Sequence, residues 1–267
     1  MYKRQPCKVF NIRKGRPDPG LKAQHLKAIE AIAEVSNGKL KGNELGSQEV
    51  EFYPGEVAGG KFKINVGTAG SVSLVLQAIL PAIVMSGEKF KLEITGGTNV
   101  KWSPSIQYIK HVFCNFLDRM GVDIRVDVCR YGFYPRGGGK IKVRVSSLGR
   151  LQPLEIIERG NFQRIDVWSI CSESLRKRNI AERQIRGFTE YFEVKHSHVV
   201  YAKTLSPGTS IHAHAHFENT KLGACALGEI GMNAEEVGRH CAKKLKKEID
   251  SGACLDQWMA DQILPYM

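Results

Sequence analysis

Apolar and polar residues alternate along several short stretches of this chain and recur every three to four positions along others, which divides it into predicted strands and helices. The stretches "EVEFYPG" (49–55), "KFKINVG" (61–67), "KLEITGG" (91–97), "VDIRVDVCRYG" (122–132) and "KIKVRVS" (140–146) alternate. Each predicts a strand with one face to a core and one to water. Leu26, Ile29, Ile32 and Ala33 fall at helical spacing before the stop signal Asn37-Gly38, and further helices are predicted over 71–86 and near 104–120. Strands alternating with helices give an α/β fold, with a weak signal for repeated units of paired helices on a half-buried sheet.

After "LGRLQPLEIIERGN" the texture changes. Strand "RIDVWSICS" (164–172), helix "RNIAERQIRGFTEYF" (178–192), strands "HSHVVYAKTL", "SIHAHAHFEN" and "LGACALGEI", and a last helix from Asn233 read as a second compact unit. That helix is expected to be capped by Asn233 with Glu236 at its third position. It buries Val237, Cys241, Leu245 and Ile249, and carries Lys243, Lys244, Lys246 and Lys247 on a solvated face near its negative end.

Composition narrows the class. The chain has 267 residues, 42% of them hydrophobic, enough for one large domain or two smaller ones. It has no apolar run long enough to span a membrane and no secretory leader, which is read as an intracellular, cytoplasmic protein, with the nucleus also open to a eukaryotic one. Seven scattered cysteines form no C-x-x-C pair and suit reduced thiols packed in a core. The formal charge of +12 favours a polyanionic partner.

Four stretches carry candidate chemistry. In "NIRKGRPDPGLKAQHLKAIEAI" (11–32) the turn formers Pro17, Asp18, Pro19 and Gly20 explain the backbone, while Arg13, Arg16 and Gln24 are the residue types that hold an anion beside a helix N-terminus. "GTAGSVSLVLQAILPAIVMSG" is apolar nearly all round except for Gln77, which either bonds nearby backbone or points into a polar cavity where a ligand satisfies it. "GFYPRGGGK" (132–140) offers glycines that could cradle a phosphate, but it lacks the Lys-Ser/Thr ending of a P-loop and reads as a turn. His212, His214 and His216 in "HAHAH" share one strand face, expected to be a solvent-facing row with at most incidental metal affinity.

Taken together, "NIRKGRPDPGLKAQHL", "GTAGSVSLVLQAILPA", "GGTNVKWSPSIQYI", "GFYPRGGG" and "MADQILPYM" resemble, in order and spacing, the RNA 3′-terminal phosphate cyclases, over nearly the whole chain. The resemblance implies an enzyme that uses ATP and a divalent metal (Mg or Mn). ATP adenylates a histidine, AMP passes to the RNA 3′-phosphate, and the neighbouring 2′-hydroxyl closes a 2′,3′-cyclic phosphate with release of AMP. Arg13, Arg16 and Gln24 match positions holding the RNA 3′-phosphate. Gln77, Pro104 and the segment Trp258, Met259, Ala260, Asp261 and Gln262 match the ATP/adenylate site, with Trp258 in place of a smaller ring.

The implied fold is a large domain of repeated two-helix, four-stranded-sheet units, as in the enolpyruvyl transferases, with a smaller thioredoxin-like α/β insert. The large domain is expected over 1–157, the insert over 158–251, and a return to the large domain over 252–267. The family's first strand, glycine-rich turn and helix, with a metal-binding glutamate, and its nucleophilic histidine are expected outside this chain, beyond Met267 for the histidine. The chain is accordingly read as an inactive fragment, with no catalytic or metal residue of its own. The alternatives are a non-catalytic RNA-binding relative in ribosome biogenesis and a transferase sharing only the repeated fold.

Overall fold

The computed structural model describes residues 5–147 and 149–267. The fold is mixed α/β, with its strands in three sheets. The N-terminal part holds β1 (Cys7–Val9), α1 (Ala23–Val35), β2 (Lys39–Lys41) and β3 (Val50–Tyr53), whose strands pair antiparallel in the order β1-β3-β2. Next come β4 (Gly60–Asn65), α2 (Val72–Ser86), β5 (Lys89–Gly96), a helical run, β6 (Asp123–Arg130) and β7 (Gly139–Ser146). These strands form a sheet in the order β4-β5-β7-β6, parallel only between β4 and β5. The helical run is α3 (Ile106–Tyr108), a π-helical turn over Ile109–Phe113, and α4 (Cys114–Arg119).

The apolar positions of the alternating strands all turn to one side. Phe90, Leu92, Ile94, Ile141, Val143 and Val145 are at most 2% exposed, packed with Val75, Leu76, Ile79 and Ile83 of α2 and with Ile109, Phe113 and Phe116. Burial of this kind stabilises by about 25 cal/mol per Å² of apolar surface, and it explains why α2, with little polar face, lies inside.

The following stretch builds β8 (Phe162–Ser172), a 3₁₀ turn (Glu173–Arg178), α5 (Ile180–Thr189), β9 (His196–Ala202), β10 (Thr209–Phe217), β11 (Lys221–Leu227) and α6 (Ala234–Asp250), with strand order β11-β10-β8-β9. Its core is separate: Val167, Phe188, Ile211, Ala213, Val237, Cys241 and Leu245 pack together. α5 and α6 cross closely, because a Cβ on Gly187 would lie 2.0 Å from Glu235 O and one on Gly238 2.0 Å from Gln184 O. Arg159 closes the end of α6, donating to Glu248 O at 2.7 Å, Ile249 O at 2.6 Å and Ala253 O at 2.5 Å, and so satisfies carbonyls that a helix end leaves open. Finally α7 (Gln257–Gln262) and a 3₁₀ turn (Leu264–Tyr266) return Met259, Ile263 and Tyr266 to the first core.

Two expectations are corrected. Asn233 stands at the N-cap of α6, but its side chain makes no capping bond and there is no capping box with Glu236. Not all the thiols are core: Cys114, Cys171 and Cys241 are buried, whereas Cys7 and Cys129 are exposed. Val237, Cys241 and Leu245 are buried and Ile249 half-buried, with Lys243, Lys244, Lys246 and Lys247 in solvent as the spacing predicts.

Candidate RNA-end and nucleotide site

Three glycine-bearing segments meet at the carboxyl ends of the parallel strands β4 and β5, the position where open α/β sheets place ligands. Val72 N–H donates to Gly97 O (2.9 Å) and Gly97 N–H to Gly70 O (2.7 Å), tying the loops after the two strands. Ser71 caps α2, its Oγ accepting from Leu74 N–H at 3.3 Å. The third segment is the turn over 132–139. Thr98 N–H donates to Gly132 O at 2.9 Å and Gly132 N–H to Thr98 Oγ1 at 3.0 Å. "GFYPRGGGK" is thus a turn, with Gly137 N–H closing onto Phe133 O at 2.8 Å. Gly137 has φ +63°, and a Cβ there would lie 2.0 Å from Thr68 O. Gly137→Ala is expected to lower stability by roughly 2–4 kcal/mol, read by denaturant unfolding, since both the left-handed backbone and the close approach oppose a side chain.

Gln77 lies on α2 with its Nε2 buried and without a partner. A buried donor left so costs about 1–3 kcal/mol, and a ligand acceptor would offset it. Gln262, half-buried in α7, has its Oε1 in the same condition. Pro104 is half-buried just before Ser105, whose Oγ caps α3 by accepting from Tyr108 N–H at 3.2 Å. Tyr108 Oη donates to Asp256 Oδ1 at 2.7 Å, which brings Pro104 and α7 to one locality. Asp256 also caps α7 by accepting from Trp258 N–H and Met259 N–H at 3.1 and 2.9 Å, and accepts from Gly223 N–H of β11 at 2.9 Å. Burial raises its pKa, against the hydrogen bonds that lower it. Within the segment, Trp258 is 57% exposed, Ala260 and Asp261 face solvent, and the Met259 side chain is fully buried in the core.

At the other edge, Arg13 adopts a left-handed backbone (φ 54°) and folds back, donating from its guanidinium to Asp18 O at 2.6 Å and Gly20 O at 3.4 Å. Arg16 is exposed, and its guanidinium has no protein partner among the described residues. Gln24 reaches across to the start of α2: its Oε1 accepts from Ser71 N–H at 2.6 Å and its Nε2 donates to Ser71 O at 3.4 Å. Gln24 therefore places the Arg-bearing turn against the glycine loops, with its amide spent on backbone. His25 Nδ1 accepts from Lys22 N–H at 3.2 Å, and its pKa is lowered by partial burial and by Arg13 and Lys22.

The "HAHAH" row requires the clearest correction. His212, His214 and His216 are buried, at 0%, 1% and 7% exposure, not solvent-facing. Ala213 and Ala215 face the second core, and the histidine face is covered by the helical run of the first. His111 stacks on Trp168 at 4.5 Å between ring centres and lies 5.0 Å from His214, while Trp168 stacks on His198 at 4.5 Å. His212 Nε2 and His214 Nε2 are 2.8 Å apart, and His212 Nδ1 lies 3.2 Å from Ser105 Oγ. The two Nε2 atoms share one proton, so one ring donates and the other accepts. Both rings stay neutral, because burial lowers the pKa of each. Asp166 Oδ2 lies 2.9 Å from His216 Nε2, and Asp166 Oδ1 2.9 Å from His196 Nδ1. Among the described residues no group of three His, Cys, Asp or Glu could hold a metal ion. Sequence alternation put the three histidines on one face but carried no sign of the second body that covers it.

A family model described as RNA 3′-terminal phosphate cyclase matches residues 1–267. The RNA 3′-terminal phosphate cyclase of Staphylothermus marinus is 40% identical over 275 residues, covering 98% of this chain and 76% of the relative. Those of Methanopyrus kandleri and Pyrococcus furiosus are each 39% identical over 98% of this chain, covering 77% and 78% of their own length. No helix among the described residues is long and apolar enough to cross a membrane. The chain belongs to the RNA 3′-terminal phosphate cyclase family.

Proposed function

We propose that this chain serves the ATP-dependent conversion of an RNA 3′-terminal phosphate to a 2′,3′-cyclic phosphate, supplying the nucleotide pocket and the grip on the RNA end. The observation that carries the reading is the unpartnered buried Nε2 of Gln77, on the helix whose N-terminus receives the Arg13–Gln24 turn. ATP, when bound, supplies the AMP that activates the RNA phosphate. Gln77 Nε2 would donate to it, Gln262 Oε1 would accept from it, and Pro104 and Trp258 offer flat apolar surface to adenine. Arg16, with a free planar fork, is the cation for the RNA phosphate, while Arg13 fixes the turn that presents it. The described residues offer no three-ligand cage for a divalent ion.

None of the eight histidines offers a ready nucleophile. His212, His214 and His216 are buried, His111 and His198 are stacked on Trp168, His196 is bonded to Asp166, and the Nδ1 lone pair of His25 accepts from Lys22. His240 lies on α6, the helix that packs on the second core. The chain's own part is accordingly binding and orientation.

Gln77→Leu tests this reading. The variant is expected to keep or raise its melting temperature, because leucine suits the apolar helix, while ATP affinity falls by roughly 1–2 kcal/mol, the scale of one hydrogen bond. A lowered melting temperature with ATP affinity intact would remove Gln77 from the pocket.

A further inference from the structure

The strand face opposite the first core is open, and its register sets like charges side by side. Lys61 pairs with Lys91, Lys91 with Arg144 and Arg144 with Arg125, so one row across all four strands β4-β5-β7-β6 is entirely cationic. All four are exposed. Like charges directly opposite each other destabilise a sheet, and the relief here is partial. Arg125 meets Asp123 at 3.2 Å and Arg144 meets Asp127 at 3.4 Å, whereas Lys61 and Lys91 have no carboxylate partner among the described residues. The next row, Lys63, Glu93, Lys142 and Asp127, is mixed, and the row after it ends in Lys140 and Arg130. That last row adjoins Gly96 and Gly139, so the face starts at the glycine loops of the candidate site and runs away from them.

We propose that this open sheet face binds the phosphodiester backbone of the RNA upstream of its 3′ end, as a surface distinct from the end-binding site; the inference rests on the RNA-end reading above. Cations about 4.8 Å apart across a twisted sheet offer a track for successive phosphates, and bound phosphates neutralise the repulsion the free sheet carries. No large apolar side chain is exposed on these strands, so the face has nothing to insert into a lipid layer and no ring on which bases could stack. Binding there is therefore indifferent to sequence and strongly dependent on salt.

The test compares the 267-residue chain with its Lys61→Gln/Lys91→Gln/Arg144→Gln variant, using a long single-stranded RNA and a trinucleotide, each ending in a 3′-phosphate or a 3′-hydroxyl. The variant is expected to bind the long RNA at least about tenfold more weakly at low salt, with the log–log salt slope reduced by about 2, at roughly 0.7 per lost phosphate contact. Trinucleotide binding should be unchanged, and the melting temperature equal or higher. An unchanged salt slope for the long RNA overturns the proposal, as does an equal loss for the trinucleotide. Stronger capture of the unmodified chain by phosphatidylserine-containing vesicles or by polyglutamate than by RNA also overturns it. Failure of the RNA-end reading is read separately, as absence of any preference for the 3′-phosphate in the trinucleotide pair.

Discussion

Replacing Asp256 by alanine is expected to cost about 3–5 kcal/mol of stability, the largest effect of any single substitution considered. The carboxylate is fully buried and accepts from Tyr108 Oη, Gly223 N–H, Trp258 N–H and Met259 N–H. Truncation leaves the Tyr108 hydroxyl and the Gly223 amide buried without partners and removes the cap of α7. The three elements joined there come from distant parts of the chain, so Met259, Ile263 and Tyr266 should also loosen from the core. Asp256→Asn keeps one acceptor oxygen and should lose less. Urea unfolding of both variants checks the order, and equal stability of Asp256→Ala and the unmodified chain would show that the carboxylate is not the tie described.

The second large effect is with acid. Burial lowers the pKa of His212 and His214 well below its ordinary value of 6.5, and that of His111 and His216 to about 4. The groups facing this cluster are cationic as well as acidic. Lys110 and Lys221 lower the His111 value further, Lys221 and Arg164 lower that of His216, and Asp166 opposes them. These histidines stay neutral in the folded chain and take up protons when unfolded, so the unfolded state binds more protons between about pH 6.5 and pH 4 and stability falls as pH drops through that window. Taking pH 7 to pH 5, His212 and His214 should each account for about 2 kcal/mol of loss, and the buried His216 and half-buried His111 add to it in the same direction. Asp166, whose pKa is lowered by His196 and Arg164 against its desolvation, acts only below this window. Urea unfolding at the two pH values measures the loss, and His214→Gln should flatten the dependence. A stability that does not change between pH 7 and pH 5 would contradict the buried neutral cluster.

Much of the fold was legible because the elements are long and amphipathic. β4 to β7 and β8 to β11 fall on the alternating stretches, and α1, α2, α5 and α6 on the helical ones. The short β1 and β2, three residues each, present too few positions to show a period. The π-helical turn at Ile109–Phe113 keeps an apolar face and is indistinguishable in pattern from an α-helix. At the site, Gln77 was legible as an amide out of place in an apolar helix. Gln24 was legible as polar but not as a clamp on Ser71, since that bond spans 47 positions. Asp256 and His111 gave no signal, because each acts through partners that only the folded chain brings near: Tyr108 and Gly223 for the one, Trp168 and His214 for the other.

The central claim, that this chain grips the phosphorylated end of an RNA, is tested most directly by titrating it with two RNAs that are identical except for a 3′-phosphate in one and a 3′-hydroxyl in the other. The account predicts that the phosphorylated RNA binds roughly ten- to a hundred-fold more tightly, the worth of one charge-assisted contact of about 1.5–3 kcal/mol, and that Arg16→Ala abolishes the difference while leaving ATP affinity in place. Equal affinity for the two RNAs, or a preference that survives Arg16→Ala intact, would contradict it.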